Sequence, residues 1–408
     1  MSENFSVLFL GRLFPKNNEQ QIREKATVDM QDAANVFQWN IINGLYENGL
    51  KDISIVSLLP IDSWPKHYKS PFIRYDKEKT DNKFSFETAA FCNITYIKQL
   101  SIANCCTKYA LRWAKKNSEK NKIIICYSEN NTLMRACSAI KKRYPNTIII
   151  QIIADITEFA ANADLSFVAK LLNKHQINTN NKLRGNIDGF VLLTKHMKDK
   201  LGLTLPYVVM EGIVPERYIS EKVESTNYTV KKTILYTGSM NKKYGILQLL
   251  EAFSLTCNDD YNLCLCGLGN AEPVIANYCS KDSRIQYLGK VAHKKVLELQ
   301  NEATVLVNPR QNNEEFTKYS FPSKTMEYLA SGVPLVAYKL DGIPDEYDEY
   351  INYVPDNSTE ALAKALLDIC EMPEDKRKEM ALKAQKFVLE QKNRVVQTKK
   401  IVDLINSL

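Results

Sequence analysis

A chain of 408 residues is too long for one compact core, which favours two or more domains. It is 45% hydrophobic and 25% charged, with 14 Gly and 14 Pro, a composition that argues against disordered, collagen-like and repeat proteins. No apolar run approaches the ~18 residues that cross a bilayer, and the N-terminus lacks the pattern of an export signal. We therefore expect a cytoplasmic protein.

Short apolar runs alternate with amphipathic stretches through the first half of the chain. The runs are continuously apolar, which is typical of parallel strands that helices cover on both faces. Strands are predicted at residues 5–10, 53–59, 123–127, 147–153 and 189–193, and helices at residues 32–47, 133–143 and 196–201. This pattern predicts a doubly wound α/β domain over residues 1–220.

A polar stretch at residues 220–232 interrupts this alternation and is predicted to be a linker. Beyond it, strands are predicted at residues 233–237, 262–266, 285–288, 305–307 and 335–337, and helices at residues 246–253, 359–370, 374–391 and 395–408. The fold class is therefore α/β, with a second Rossmann-like domain over residues 221–390. Ligands are expected at the carboxyl ends of the strands.

The positive charge is concentrated in the first half. Residues 1–220 contain 30 Lys and Arg against 21 Asp and Glu, whereas residues 221–408 contain 24 against 26. A basic half favours an anionic membrane or a lipid-linked phosphate over nucleic acid, because no basic helix or RNA-binding signature accompanies it. A solvated surface with no partner explains the charge equally well. The ten cysteines lack zinc-site spacing, so free thiols and no metal site are expected.

Residues 316–332, FTKYSFPSKTMEYLASG, have the most specific pattern in the chain. Pro322 suits the first turn of a helix, Ser320 suits its cap, and Gly332 lies just past its end. The start of this helix can hold a phosphate through unpaired backbone N–H groups, with help from Ser323 and Lys324.

Glu327 follows Ser323 by four residues, which places both on one helix face, ~6 Å apart along the axis. A carboxylate at this offset can accept hydrogen bonds from both hydroxyls of a ribose whose pyrophosphate lies at the helix start. A surface ion pair between Glu327 and Lys324 fits the same pattern equally well.

The same segment resembles the sugar-nucleotide site of the retaining family 4 glycosyltransferases. YTGSMNKKYGILQLLEAF, LCLCGLGN, IQYLGKV and VLVNPRQNNEEF follow that family's order after residue 230. MQDAANVFQWNIINGL, TIIIQIIADITEF and DGFVLLTKHMKDKL resemble its bacterial branch, which makes surface polysaccharides such as capsules and exopolysaccharides. The resemblance implies a GT-B fold of two facing Rossmann-like domains, with residues 391–408 as a helix that returns to the first domain.

The resemblance also implies roles for individual residues. Glu327 matches the second acid of the family's E-x7-E motif, which binds the donor ribose, and Lys290 and Val291 match the loop around the base. Lys243 resembles the cation that neutralises the diphosphate, and it is a predicted catalytic residue together with Lys324 and Asp155. The predicted donor-binding residues are Gly11, Gly238, Ser239, Lys243, Lys290, Val291, Tyr319, Ser320, Phe321, Ser323, Lys324 and Glu327.

The chain departs from the family pattern at three places. Tyr319 stands where the first acid of E-x7-E is expected, and Ser239 stands where many members have arginine. The paired glycines before the first helix are replaced by Ala33 and Ala34. In this family the diphosphate leaving group is neutralised by lysines and backbone N–H groups, so no metal, no cofactor and no dedicated nucleophile are expected.

Three residues of the first half are further candidates. Gly11 ends the first predicted strand and permits close backbone approach to the donor. Asp155 follows the strand at 147–153, where it either contacts a sugar or caps a helix. Glu211 either faces a ligand or belongs to loop structure.

The expected activity is transfer of a hexose from a nucleoside-diphosphate sugar, with UDP as the default carrier, to a glycan acceptor. The expected partners are the nucleotide sugar, a glycan or lipid-linked oligosaccharide, and an anionic membrane at the inner face of the plasma membrane. No nucleic acid is expected. The same pattern leaves open a nucleotide-sugar epimerase, a phosphorylase and a catalytically silent nucleotide-sugar-binding protein.

Overall fold

A computed structural model of the chain describes residues 5–28, 30, 32–156, 158, 167–215, 218, 232–256 and 259–408. The chain divides into two compact units. The first unit contains Met1–Glu211 with Arg394–Leu408, and the second contains Gly212–Asn393. The predicted linker at residues 220–232 lies outside the described residues except for its last residue.

The first unit is built on a mostly parallel sheet. Its strands are β1 (Phe5–Gly11), β2 (Ile53–Ser57), β3 (Phe72–Ile73), β4 (Asp76–Thr80), β5 (Phe84–Thr88), β6 (Phe91–Cys92), β7 (Asn121–Tyr127), β8 (Ile148–Ile153), β9 (Gly189–Leu192) and β10 (Tyr207–Val209). Among the described residues the sheet order is β10-β9-β8-β7-β1-β2-β5-β4, and only β4 runs antiparallel to its neighbour. β3 and β6 form a separate antiparallel pair.

Buried isoleucines pair between β7 and β8 near the centre of this sheet. Ile124 pairs with Ile149 and Ile125 with Ile150 between β7 and β8, and all four side chains are fully buried. Such residues suit strands that are covered on both faces, because their branched side chains pack well on a pleated surface.

Helices follow most strands of the first unit. They are α1 (Glu19–Glu24), α2 (Asp32–Glu47), α3 (Lys98–Ile102), α4 (Thr107–Lys116), α5 (Asn131–Arg143), α6 (Phe167–Arg184) and α7 (His196–Leu201). The start of α5 is fixed by Asn130, whose side-chain oxygen accepts from the backbone N–H groups of Thr132 and Leu133 at 3.1 and 3.3 Å.

The second unit contains a fully parallel sheet. Its strands are β11 (Lys232–Thr237), β12 (Tyr261–Cys266), β13 (Ile285–Tyr287), β14 (Val305–Asn308), β15 (Leu335–Ala337) and β16 (Asn352–Tyr353). Among the described residues their order is β13-β12-β11-β14-β15-β16, the Rossmann order. β12 and β13 are added on one side of β11, and β14 to β16 are added on its other side. Ligands are therefore expected where β11 and β14 end.

The helices of the second unit cover both faces of its sheet. They are α8 (Ile246–Ser254), α9 (Glu272–Lys281), α10 (His293–Glu302), α11 (Ser323–Ala330), α12 (Thr359–Glu371) and α13 (Glu374–Gln391). Side chains along β11 alternate between two buried hydrophobic clusters, one on each face of the sheet. Ile234 and Tyr236 pack in the first cluster, and Leu235 packs in the second.

The last helix, α14 (Arg394–Ser407), belongs to the first unit, as expected for a C-terminal helix that returns to the first domain. It lies against α2, where a Cβ atom on Gly44 would come within 2.5 Å of the Arg394 carbonyl oxygen. Arg394 also pairs with Glu47, and the Asn48 side chain donates to Val395 O at 2.8 Å. The absence of a side chain at Gly44 therefore permits the close approach of the two helices.

The fold differs from the prediction mainly between residues 60 and 120, where no element was predicted. This stretch contains β3 to β6, α3 and α4. No helix within the described ranges is long and apolar enough to cross a membrane. The described cysteines are free thiols, as predicted.

Candidate functional site

The candidate site lies where β11 and β14 of the second unit end. β11 leads into Gly238 and Ser239 and then into a single 3-10 turn, Lys242–Tyr244. β14 leads into Pro309 and Arg310. The two loops meet at Gly245, whose φ is +81° and where a Cβ atom would lie 2.0 Å from the Pro309 carbonyl oxygen. Only glycine permits both this φ and this approach without strain.

Two cations from these loops share one aromatic side chain. Lys243 Nζ lies 5.5 Å from the ring centroid of Phe316, and the guanidinium carbon of Arg310 lies 4.4 Å from the same centroid. Tyr244 contacts both, at 5.3 and 5.6 Å. Neither cation forms an ion pair with a carboxylate of the described residues. Within the described ranges, the pair therefore presents positive charge that no ion pair neutralises.

Arg310 is largely buried, with 9% of its surface exposed. Its Nη2 donates to Ser320 Oγ at 3.0 Å, while its buried Nε has no hydrogen-bond partner among the described residues. Burial lowers the pKa of the guanidinium, and the nearby Tyr244, Tyr236 and Glu314 partly counter this. An unpartnered buried guanidinium nitrogen is costly, which is typical of a site that receives an anion.

The helix of the predicted phosphate site begins two residues later than a cap at Ser320 would place it. α11 starts at Ser323, with Pro322 as its N-cap, and no side chain caps it. The prediction that Ser320 caps the helix is wrong, because its hydroxyl bonds Arg310 and the Phe316 carbonyl instead. The uncapped first turn leaves backbone N–H groups available to a ligand.

Lys324 and Glu327 form an ion pair on α11, with Nζ and Oε2 2.7 Å apart. The Glu327 side chain is 14% exposed and the Lys324 side chain 35% exposed. This is the surface pair that the sequence left open as an alternative to ribose binding. A ribose diol reaching Glu327 would compete with Lys324 for the carboxylate.

The end of β11 is bonded directly to α11 by a buried tyrosine. The Tyr328 hydroxyl accepts from the Thr237 N–H and donates to the Thr237 carbonyl, each at 2.8 Å. Gln300 donates to the Thr237 hydroxyl at 3.2 Å, and Tyr218 donates to Gln300 at 2.8 Å. Burial raises the pKa of Tyr328, so its hydroxyl stays neutral. This network fixes the position of α11 relative to the loop that carries Lys243.

Residues 319–322 lead from the end of the 3-10 turn Glu315–Tyr319 into α11. The Tyr319 hydroxyl donates to Glu315 Oε1 at 3.3 Å, so position 319 is bonded to a carboxylate although it carries none. Phe321 is buried and packs in the same cluster as Met326 and Tyr328. Phe321 therefore anchors the loop, whereas Tyr319 and Ser320 are half-buried.

The remaining predicted donor residues of this unit lie along the same edge of the sheet. Ser239 accepts from the Asn241 side chain at 2.6 Å, and the Gly238 N–H donates to Cys266 O at 2.9 Å. Lys290 and Val291 follow β13, two strands away from β11. Lys290 is exposed, and Val291 packs on the cluster of Phe321.

The candidates of the first unit lie at the carboxyl edge of its own sheet. Gly11 is the last residue of β1, and Asp155 follows β8 by two positions. Asp155 is exposed, yet desolvation by the protein around its carboxyl group raises its pKa. Glu211 is buried, and Gln397 and Lys400 of α14 lie 3.5 and 3.8 Å from its carboxylate oxygens. These contacts favour the structural interpretation of Glu211.

Sequence reasoning missed Arg310 and Phe316. The available signal was the Asn-Pro-Arg sequence directly after a strand, since residues at this point of a parallel sheet are placed for ligand binding. The described part of the chain contains no cluster of three or more His, Cys, Asp or Glu side chains arranged to hold an ion.

Comparison with known proteins supports the fold. Residues 219–387 match the family model described as glycosyl transferases group 1. No curated protein matches the chain.

Solved structures similar to the chain include sucrose-phosphate synthase from Thermosynechococcus elongatus, at 13% identity and a TM-score of 0.65 over 98% of each chain. HepE from Anabaena in complex with UDP has 12% identity and a TM-score of 0.63 over 99% of this chain and 100% of that chain. An α,α-trehalose-phosphate synthase (UDP-forming) from Burkholderia xenovorans in complex with glucose-6-phosphate has 12% identity and a TM-score of 0.62 over 98% and 100%. The chain thus has the predicted GT-B fold of two Rossmann-like domains, and its residues 219–387 match the glycosyl transferases of group 1.

Proposed function

We propose that the protein is a retaining, metal-independent glycosyltransferase that moves a hexose from a UDP-sugar to a glycan acceptor in surface polysaccharide synthesis. The observation that carries this proposal is the cation pair Lys243 and Arg310 at the β11–β14 reversal, beside the uncapped start of α11. The match to group 1 glycosyl transferases and the likeness to UDP-forming enzymes support it.

The chemistry of glycosyl transfer suits this arrangement. When the bond between the sugar and the diphosphate breaks, negative charge grows on the departing phosphate oxygens. Fixed cations and N–H donors stabilise that charge more in the transition state than in the ground state, and this lowers the barrier. Lys243, Arg310, Lys324 and the first N–H groups of α11 supply such donors from this chain. The acceptor attacks from the side of the leaving group, and a phosphate oxygen receives its proton.

Glu327 is the proposed ribose ligand. It lies one helical turn beyond Ser323, so a nucleotide whose diphosphate meets the start of α11 brings its ribose alongside the Glu327 carboxylate. Binding exchanges the Lys324–Glu327 ion pair for hydrogen bonds from two ribose hydroxyls, and it frees Lys324 for the phosphate.

UDP binding to matched variants tests the proposal. Glu327→Gln removes the charge that receives the diol, and the loss of a charge-assisted hydrogen bond of about 1.5–3 kcal/mol weakens UDP binding roughly 10–150-fold. Glu298→Gln is the control, because Lys295 and Glu298 form an ion pair of the same spacing on α10 of the same unit. It should leave the dissociation constant for UDP unchanged. Equal UDP affinity of the Glu327→Gln and parent proteins would remove the ribose assignment.

Turnover separates the alternatives. An active transferase incubated with UDP-sugars alone releases free UDP slowly, because water replaces the acceptor. A silent nucleotide-sugar-binding protein releases none, and an epimerase converts the sugar without releasing UDP. A phosphorylase would contain pyridoxal phosphate, which absorbance of the purified protein would reveal. The transferase proposal fails if UDP binds but none of the UDP-sugars yields UDP.

We also propose that the first unit contacts an anionic membrane. Three apolar side chains at α3 are strongly exposed: Tyr96 at 93%, Ile97 at 51% and Leu100 at 82%. An apolar group of this kind on a basic half of the chain suits insertion among anionic headgroups. Leu100→Glu should abolish co-sedimentation with phosphatidylglycerol vesicles, whereas Leu382→Glu, at a leucine 58% exposed in the second unit, should not. Binding that is unaffected by Leu100→Glu, or by high salt, would refute this contact.

A further inference from the structure

A second group of charged side chains lies at the carboxyl edge of the first unit's sheet. Arg12 directly follows β1, and Tyr127 is the last residue of β7, the strand beside β1. β2 lies on one side of β1 and β7 lies on the other, so the order of the strands in the sheet reverses between β1 and β7. This is the position where parallel sheets bind ligands.

Two hydrogen bonds with Gln38 position the backbone of Arg12 at this edge. Its backbone N–H donates to Gln38 Oε1, and Gln38 Nε2 donates to its carbonyl oxygen, both at 2.8 Å. Its guanidinium Nε is buried and has no hydrogen-bond partner among the described residues. Burial lowers the pKa of Arg12, and the neighbouring Tyr127 and Asp62 oppose this effect.

A second cation reaches the same place from α3. Lys98 is half-buried and donates to the Ile61 carbonyl at 2.6 Å. Burial lowers the pKa of Lys98, and the positive charge of Arg12 lowers it further, while Asp62 opposes both effects. Asp62 is exposed and forms no ion pair with either cation within the described part of the chain. The Leu58 N–H donates to the Gly11 carbonyl at 3.0 Å, so residues 58–62 bring Lys98 near Arg12. Neither cation forms an ion pair with a carboxylate of the described residues.

We infer that Arg12 and Lys98 form a second anion site, which binds a phosphate group on the acceptor substrate. Two like charges held near each other and partly shielded from water destabilise the fold unless an anion enters between them. A phosphate supplies oxygens for the unpartnered Arg12 Nε and for Lys98. Tyr127, whose pKa burial raises, contributes a neutral hydroxyl that donates rather than repels.

The chemical class of the ligand follows from these donors. A fork of guanidinium N–H groups beside an ammonium group fits a tetrahedral phosphate better than a neutral sugar, because each donor finds a charged oxygen. Binding of phosphate here depends only on these residues, whereas its assignment to the acceptor rests on the proposed function.

Thermal stability with phosphate ligands tests the site. The probes are inorganic phosphate, glucose 6-phosphate and phosphatidylcholine vesicles containing polyprenyl phosphate, each compared with sodium chloride at equal ionic strength. The first two should raise the melting temperature of the parent protein, and Arg12→Gln and Lys98→Gln should reduce this shift to the part that the nucleotide site contributes. If the vesicles bind more tightly than glucose 6-phosphate, the phosphate comes from a lipid; the reverse order identifies a soluble sugar phosphate.

Two controls keep the test decisive. Lys108→Gln removes one exposed positive charge from the same unit and should retain the full phosphate shift. Arg12→Lys keeps the charge but loses the guanidinium fork, so a folded variant with a reduced shift supports the geometry. UDP affinity should be unchanged in all variants, which separates this site from the nucleotide site. A phosphate shift in Arg12→Gln and Lys98→Gln as large as that of the parent protein would overturn the inference, whatever UDP does.

Discussion

Replacing Arg310 with methionine should separate folding stability from nucleotide binding. The guanidinium donates one hydrogen bond to Ser320 and lies over Phe316, contributions worth about 1–3 kcal/mol together. Against this stands the cost of burying a charge with only 9% exposure and an unpartnered Nε, which is also several kcal/mol. The two effects nearly cancel, so Arg310→Met should leave the melting temperature unchanged or raise it.

Nucleotide affinity should respond in the opposite way. If Arg310 donates one charge-assisted hydrogen bond to the diphosphate, its loss costs about 1.5–3 kcal/mol and weakens UDP binding roughly 10–150-fold. Isothermal titration calorimetry with UDP measures this change, and differential scanning fluorimetry of the unliganded protein measures stability.

Arg284→Met is the matched control. Arg284 immediately precedes β13, at the opposite edge of the sheet, where it donates two hydrogen bonds to Asp282 at 3.0 and 2.7 Å and one to Thr256 O at 2.6 Å. Its loss should cost about 2 kcal/mol and lower the melting temperature by about 4–8 °C, with unchanged UDP affinity. If Arg310→Met instead behaves like Arg284→Met, the arginine is structural and our interpretation of the cation pair is wrong.

Three further substitutions probe other parts of the structure. Tyr328→Phe leaves the buried Thr237 N–H and carbonyl without partners and should cost about 2 kcal/mol in urea unfolding; a loss under about 0.5 kcal/mol would show that the network is unimportant. Gly245→Ala sets a methyl group against the Pro309 carbonyl and should weaken UDP binding, and an unchanged dissociation constant would contradict the assigned loop geometry. Because desolvation raises the pKa of Asp155, the folded chain binds that proton more tightly and loses stability as pH rises above the ordinary value of ~3.9. Asp155→Asn should therefore melt higher than the parent at pH 7 but not in acid, and equal melting at pH 7 would refute the shift.

Hydrophobic pattern accounts for what could be predicted of the fold. The isoleucine runs of β7 and β8 and the amphipathic stretch of α2 have strong periodicity, so both types of element were predicted near their observed bounds. β4 reads Asp-Lys-Glu-Lys-Thr and lies at the edge of the sheet, where it buries little, so no apolar run marks it. α3 has five residues and no buried side chain, too little for any period to appear.

The sequence could predict the features of the candidate site that depend on neighbouring residues. It could not predict the features that depend on tertiary contacts. The start of α11 and Lys243 are each marked by their own neighbours in sequence. Arg310 is separated from Ser320 by a polar stretch, and their hydrogen bond exists only because the chain folds back after β14. The hydrogen bond from Tyr319 to Glu315 likewise forms only because residues 315–319 fold into a 3-10 turn. The sequence showed only that position 319 lacks the expected acid, and it did not predict this turn.

The placement of α14 affects how the molecule can be made and divided. A ribosome synthesises all of Gly212–Asn393 before Arg394 emerges, so the face of α2 around Gly44 stays uncovered while the second unit is being completed. A nascent first unit is thus a candidate for chaperone binding at that face. For the same reason, expression of the first unit alone requires residues 394–408 to be grafted after Glu211, because a single cut leaves its last helix on the other fragment.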